Sequence, residues 1–258
     1  PAPFNGITTT QIHAYINRIY IDLIGREPTS AELIDWTTYL KDNQITEAAK
    51  KTLISNIQGT TAYYDRLYDI YSGQLLGGTS QEDIDDKISL YEYFRDNAYL
   101  QGDTIYAQLV EFRLLQLGQL KTVTTDYFNN SINLNEFFAR FPLTPIFDDI
   151  NMGNENFVLA CFEGFFKRYP TDTELYKSVR MLQGNSETLL LKDGSSKVDF
   201  IRIITTVTAF YEGLTIEVYR QLLARNPSSI EMGSGTIELT TNGDYQSLQQ
   251  KIMITDEY

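Results

Sequence analysis

The side chains best suited to covalent or metal chemistry are scarce in this chain. There is one cysteine, Cys161, and one histidine, His13, in 258 residues. A thiolate nucleophile needs a cation or a base to lower its pKa, but Cys161 lies in the apolar run Phe157-Val158-Leu159-Ala160-Cys161-Phe162. It is expected to be a small buried hydrophobe. One His and one Cys do not make an ordinary zinc site. A Ser-His-Asp triad would have to use His13, and no G-x-S-x-G turn exists to present the serine. No phosphate-binding or dinucleotide-binding glycine pattern is present, and no cofactor is predicted.

Carboxylates are the remaining reactive groups. Asp148-Asp149 is followed by Asn151, Gly153, Asn154 and Glu155. Oxygen side chains alternating around a glycine are what a calcium loop uses, so Asp149, Asn151 and Glu155 are the candidate metal ligands. The run lacks the twelve-residue spacing of an EF-hand, and a solvated loop that caps the next helix is the simpler reading. Glu82-Asp83 with Asp85-Asp86 falls at an expected helix start, where acids favour the helix dipole. A glycosidase needs two carboxyl groups at a defined separation in space. A polysaccharide hydrolase is therefore an alternative function, and non-enzymatic roles are preferred because no catalytic pattern appears.

The most regular constellation is a turn. Arg26, Pro28, Thr29 and Glu32 recur as Arg168, Pro170, Thr171 and Glu174, each 142 positions later. Arg225, Pro227, Ser228 and Glu231 repeat the pattern R-x-P-[TS]-x-x-E again. Proline turns the preceding residue out of the helical region. Thr or Ser then N-caps a helix, and Glu three residues later closes a capping box. The arginine is expected to favour the C-terminal end of the preceding helix. Each member thus has a structural role, and the set is read as a turn motif rather than a charged active site.

The elements that position these turns are helices. Ile12, Tyr15, Ile16, Ile19, Tyr20, Leu23 and Ile24 form an amphipathic stripe that ends at Gly25, where a left-handed residue terminates a helix. The stripe returns as Phe157, Val158, Cys161, Phe162, Phe165 and Phe166. A second match, Thr61-Ala62-Tyr63-Tyr64-Asp65 with Thr208-Ala209-Phe210-Tyr211-Glu212, has an offset of 147. The extra residues fit an insertion near 191–197, where Lys192-Asp193-Gly194-Ser195-Ser196 reads as a loop. The expected fold is all-α, an internally duplicated bundle of helix-turn-helix units. Residues 10–111 form one half and 153–258 the other, joined by a connector at 112–152. That connector holds a helix ending near Leu120 and a looser stretch broken at Phe141-Pro142-Leu143-Thr144-Pro145. The only β-like signal is Thr236-Ile237-Glu238-Leu239-Thr240 before Asn242-Gly243, a short strand or hairpin near 236–243.

Composition narrows the partners. The net charge is −13, which disfavours nucleic acid and anionic membranes, because both need a basic stripe. No apolar run reaches membrane-spanning length. The 18 Tyr and 14 Phe are expected mainly in helix seams, with some tyrosine left for recognition. The opening Pro1-Ala2-Pro3-Phe4 reads as a processed or trimmed start, as after removal of a signal or lipoprotein leader, so a lipid anchor is a candidate.

The stretch Arg18-Ile19-Tyr20-Ile21-Asp22-Leu23-Ile24-Gly25-Arg26-Glu27-Pro28-Thr29-Ser30-Ala31-Glu32 resembles the R-x-x-x-D-L-x-G-x-x-P-T-x-x-E segment of a bacterial helical domain of unknown function. That domain accompanies c-type cytochrome modules in planctomycete proteins. The stretch is also similar to a helical repeat domain of bacterial surface and secreted proteins. In the second copy Ala160 and Gly164 replace Arg18 and Asp22, a pair at i, i+4 that is expected to interact on the first helix. The chain has no C-x-x-C-H for covalent haem. The resemblance implies a periplasmic or cell-surface setting and no defined activity. The function expected is a non-catalytic binding or scaffold protein for a protein or glycan partner, with an accessory role in electron transfer as a further alternative.

Overall fold

The computed structural model describes residues 6–258, so the Pro1–Phe4 start lies outside the described residues. Contacts divide the chain into two compact units, one of residues up to Leu67 with Thr215–Tyr258, the other Tyr68–Leu214. These units cut across the sequence halves 10–111 and 153–258. Among the described residues there are fifteen α-helices and one two-stranded hairpin.

The first unit is built on α1 (Thr9–Ile24), α2 (Ser30–Asp42) and α3 (Glu47–Gln58), with α14 (Ser229–Asn242) and α15 (Tyr245–Met253) from the C-terminal part. Residues of α4 (Thr61–Leu75) and α13 (Thr208–Leu223) belong to both units. Helix α1 buries Ile12, Ile16, Ile19, Tyr20 and Leu23. It stops at Gly25, whose φ of 72° needs a residue without a Cβ and whose N–H donates to the Ile21 carbonyl. Helix α3 packs on α15 around a buried polar knot. There the Gln249 side-chain oxygen accepts from the Tyr63 hydroxyl at 2.7 Å and the Gln58 amide at 3.1 Å. The segment 236–240 is helical, inside α14, and not a strand. Thr236 and Leu239 are buried three residues apart, a helical spacing that the apparent alternation concealed.

The second unit holds α5 (Gln81–Leu100), α6 (Thr104–Lys121), three short helices α7 (Val123–Phe128), α8 (Leu134–Ala139) and α9 (Pro145–Ile150), then α10 (Asn154–Phe166), α11 (Asp172–Leu182) and α12 (Lys197–Ile204). Its core is aromatic. Phe138 meets Tyr71, Phe165 and Phe210 edge to face, with ring centroids 4.5, 6.2 and 5.3 Å away. The segment expected to be a loose connector supplies Phe137, Phe138, Phe141 and Phe147 to that core. The hairpin pairs β1 (Glu187–Leu189) with β2 (Lys192–Gly194) where a loop was expected. Its two-residue turn, Leu190-Leu191, has φ of 49° and 66°, values normally taken by Asn-Gly.

Candidate functional site

The three R-x-P-[TS]-x-x-E turns adopt one hydrogen-bonded form. In the first, Thr29 N-caps α2. Its N–H donates to Glu32 Oε2 at 2.7 Å, and the Glu32 N–H donates back to Thr29 Oγ1 at 3.3 Å. Arg26 then grips Glu32 through both guanidinium nitrogens, each at 2.8 Å. Arg168 and Glu174 repeat the fork at 2.8 and 2.7 Å, and Arg225 and Glu231 at 2.9 and 2.8 Å. The arginine therefore reaches forward to the capping glutamate, and not back to the helix end as expected. Arginine forks and capping bonds hold the Glu32, Glu174 and Glu231 carboxyls near a pKa of about 2. A related cap occurs at Ser80 and Asp83, where the turn Gly77-Gly78-Thr79-Ser80 starts α5 without proline or arginine. The arginine, the cap and the glutamate of each turn bind one another, and Arg225 also donates to Glu257 outside its turn, so the turns shape the chain.

Two of the three expected calcium ligands are engaged elsewhere. Asp149 binds Lys87 at 2.6 Å, and the Asn151 amide donates to the Phe147 carbonyl at 3.1 Å. Glu155 stands in the first turn of α10. Among the described residues no three His, Cys, Asp or Glu side chains are grouped for a metal ion. Asp148 is held between Arg113 at 2.8 Å and Lys197. These residues line a cleft of about 240 Å³ with Asn154 and Phe157. Burial lowers the Lys197 pKa, opposed by Asp148, and its ammonium lies 4.3 Å from the Phe157 ring centre. Both cations of the cleft are thus turned onto one carboxylate.

A larger cleft in the first unit, about 460 Å³, is lined by Tyr15, Arg18, Leu40, Lys50 and Tyr258 among others. Arg18 donates to the carbonyls of Leu222 and Tyr258 and stacks under the Tyr258 ring at 4.1 Å. The Tyr258 hydroxyl donates to Asp22 at 2.8 Å, whereas Arg18 approaches Asp22 only to 3.7 Å. The expected i, i+4 pair is therefore loose, and both members serve Tyr258. Burial raises the Asp22 pKa, with the Tyr258 hydrogen bond opposing. Cys161 is fully buried and free, its thiol pushed far above the ordinary range by desolvation.

The uncommitted surface lies on the α5–α6 hairpin. The two helices pack along each other, fixed at one end by Lys121 on Asp85 and nearer the tip by the Tyr99 hydroxyl on Glu111 at 2.7 Å. Helix α5 exposes Leu90, Tyr93, Tyr99 and Leu100, and α6 exposes Ile105, Tyr106, Leu109, Phe112 and Leu115. Nine of the nineteen exposed large hydrophobic residues among those described thus fall on one hairpin. Its α6 also buries Ala107, Val110, Leu117 and Leu120, so its apolar residues are not confined to one core-facing stripe. Reading α6 simply as a helix missed this surface. The signal was present in Ile105, Leu109 and Phe112, which lie off the stripe of Ala107, Val110 and Leu117.

No protein-family model, curated protein or solved structure matches this chain.

Proposed function

We propose that this is a non-catalytic binding or scaffold protein of the bacterial envelope, and that it recognises a protein partner through the α5–α6 hairpin. The observation that carries the reading is the exposed apolar surface of that hairpin. Contiguous apolar patches beyond a few hundred Å² are uncommon on proteins that work alone. Of the nine, Leu90, Tyr93 and Leu100 on α5 and Ile105, Leu109 and Phe112 on α6 follow helical spacing and together expose on the order of 650 Å², taking roughly 150–200 Å² for each whole side chain. Leu100 and Ile105 at the tip are 85% and 82% exposed. A glycan surface would combine rings with converging polar groups, whereas here Leu, Ile and Phe predominate and a protein is the better fit. No described helix is long and apolar enough to cross a membrane. The envelope setting rests on the resemblance of the R-x-P-T turns to those of bacterial surface proteins.

The reading is tested by placing a photo-crosslinking amino acid at Leu109 in producing cells, with Ile230 on α14 as the control. Ile230 is 85% exposed and lies outside the hairpin. A discrete protein adduct from Leu109 and none from Ile230 is expected. Equal labelling at the two positions, or none at either, would remove the basis for the proposal.

A further inference from the structure

We infer that the partner of the α5–α6 hairpin is a second copy of this chain, two hairpins closing into a four-helix bundle. This rests on the hairpin being a docking element and names its occupant. Spacing is the first argument. On α5, Leu90, Tyr93, Asn97 and Leu100 follow one another at three- and four-residue intervals, and on α6 Ile105, Leu109 and Phe112 do the same. That alternation is the seam of helices packed side by side. Each helix already spends a different stripe on burial, Ile84 and Ala98 on α5 and Ala107, Val110 and Leu117 on α6. A helix with two apolar stripes has the pattern of a bundle interior, and one hairpin supplies half of such a bundle.

Area is the second argument. The six apolar seam residues expose on the order of 650 Å² at roughly 150–200 Å² per whole side chain, within the ~600–1,000 Å² each partner contributes to a standard interface. Electrostatics permit self-association despite the net charge of −13. The seam is bordered by Ser89, Gln101 and Gln108, and Asp96 and Glu111 near it are engaged by Arg95 and the Tyr99 hydroxyl. Asp86, exposed four residues before Leu90 on the same face of α5, adds like-charge repulsion between two copies, so the dimer should tighten as salt rises. A two-fold axis presents the same patch from both sides, so the matched spacing of the seam is supplied by the chain itself. Asn97 is the single polar member of the α5 seam, the kind of residue that fixes register in paired helices.

The test is light scattering and sedimentation velocity on the purified full chain from low to high micromolar concentration. A concentration-dependent dimer is expected. Leu109→Lys and Ile105→Glu change side chains that are 53% and 82% exposed in the single chain, so the circular dichroism spectrum should be retained while the dimer dissociation constant rises about tenfold or more. Ile230→Glu should leave it unchanged. A wild-type chain that stays monomeric throughout, or a dimer equally tight in Leu109→Lys, overturns the inference. If the purified chain is monomeric while Leu109 still crosslinks a different protein in cells, the second copy is wrong and the docking reading stands. If Leu109 crosslinks nothing, both fall together.

Discussion

Replacing Glu174 with Gln should cost about 1–2 kcal/mol at neutral pH, and the loss should vanish in acid. The carboxylate accepts both arms of Arg168 and the Thr171 N–H. Its pKa falls from 4.5 to about 2, the Arg168 hydrogen bonds being the largest cause. Taken at face value that shift corresponds to roughly 3 kcal/mol. The Glu174 side chain is only 15% exposed but that of Arg168 is 42% exposed, so solvent screening reduces the figure to about 1–2 kcal/mol. Because the folded pKa lies below the unfolded value, the stabilisation is present above about pH 4.5 and is lost as pH falls toward 2. Gln does not titrate, so the gap between wild type and variant should narrow across that window. Urea titrations followed by circular dichroism at pH 7 and near pH 3 measure it. Arg168→Met supplies the double-mutant cycle, with an expected coupling of about 1 kcal/mol. Glu32 and Arg26 are more exposed, at 32% and 49%, so Glu32→Gln should cost less. A coupling near zero, or a gap independent of pH, would show that the fork adds nothing to the cap.

Other consequences are equally direct. Gly213→Ala would place a Cβ into the Phe165 carbonyl; forcing a side-chain atom against backbone should cost at least about 2 kcal/mol in thermal or urea melts. Asp148→Asn should destabilise by about 3 kcal/mol, since Arg113 and Lys197 would then face each other without an anion, and more than Lys197→Met, which leaves Arg113 paired; the reverse order would argue against the triad. Leu191→Gly in the β1–β2 turn should raise stability by about 0.5–1 kcal/mol, because a leucine at φ 66° is strained and this one is 97% exposed. The Cys161 thiol should resist a maleimide in the native protein and react at the unfolding rate, a reading that prompt native labelling would refute.

What the sequence made legible was local. Thr29, Thr171 and Ser228 announce helix starts because cap chemistry involves residues only three apart. Gly25 announces a helix end for a similar reason. The destination of each arginine was missed, since the forward reach of Arg26 to Glu32 depends on how sharply the turn folds and not on spacing along a helix. Residues 236–240 misled because Ile237 and Leu239 alternate with polar neighbours over too short a window to separate a period of 2 from 3.6. The aromatic core from 137–147 was hidden for the opposite reason. Its helices α8 and α9 have six residues each, too short to show a period, and proline at 142 and 145 suggested a loop.

The structure also separates what shapes the chain from what is left open to partners. In each recurring turn the arginine, the cap and the glutamate satisfy one another. The same fork and cap recur in all three, although Arg225 also donates to Glu257, outside its turn. The α5–α6 hairpin is the contrary case. Its polar contacts, Lys121 on Asp85 and Tyr99 on Glu111, join the two helices and leave Leu100, Ile105, Leu109 and Phe112 in water. Leaving those four side chains exposed forgoes on the order of 10 kcal/mol at roughly 25 cal/mol per Å², before the cost of association is subtracted. Ile105 is 82% exposed, whereas Leu109 and Phe112, at 53% and 48%, also bury about half of their surface within the chain, beside the stripe of Ala107, Val110 and Leu117 through which α6 docks. If the hairpin docks as proposed, Ile105, the most exposed of the three at 82%, is the position where a polar residue should cost the fold least and association most.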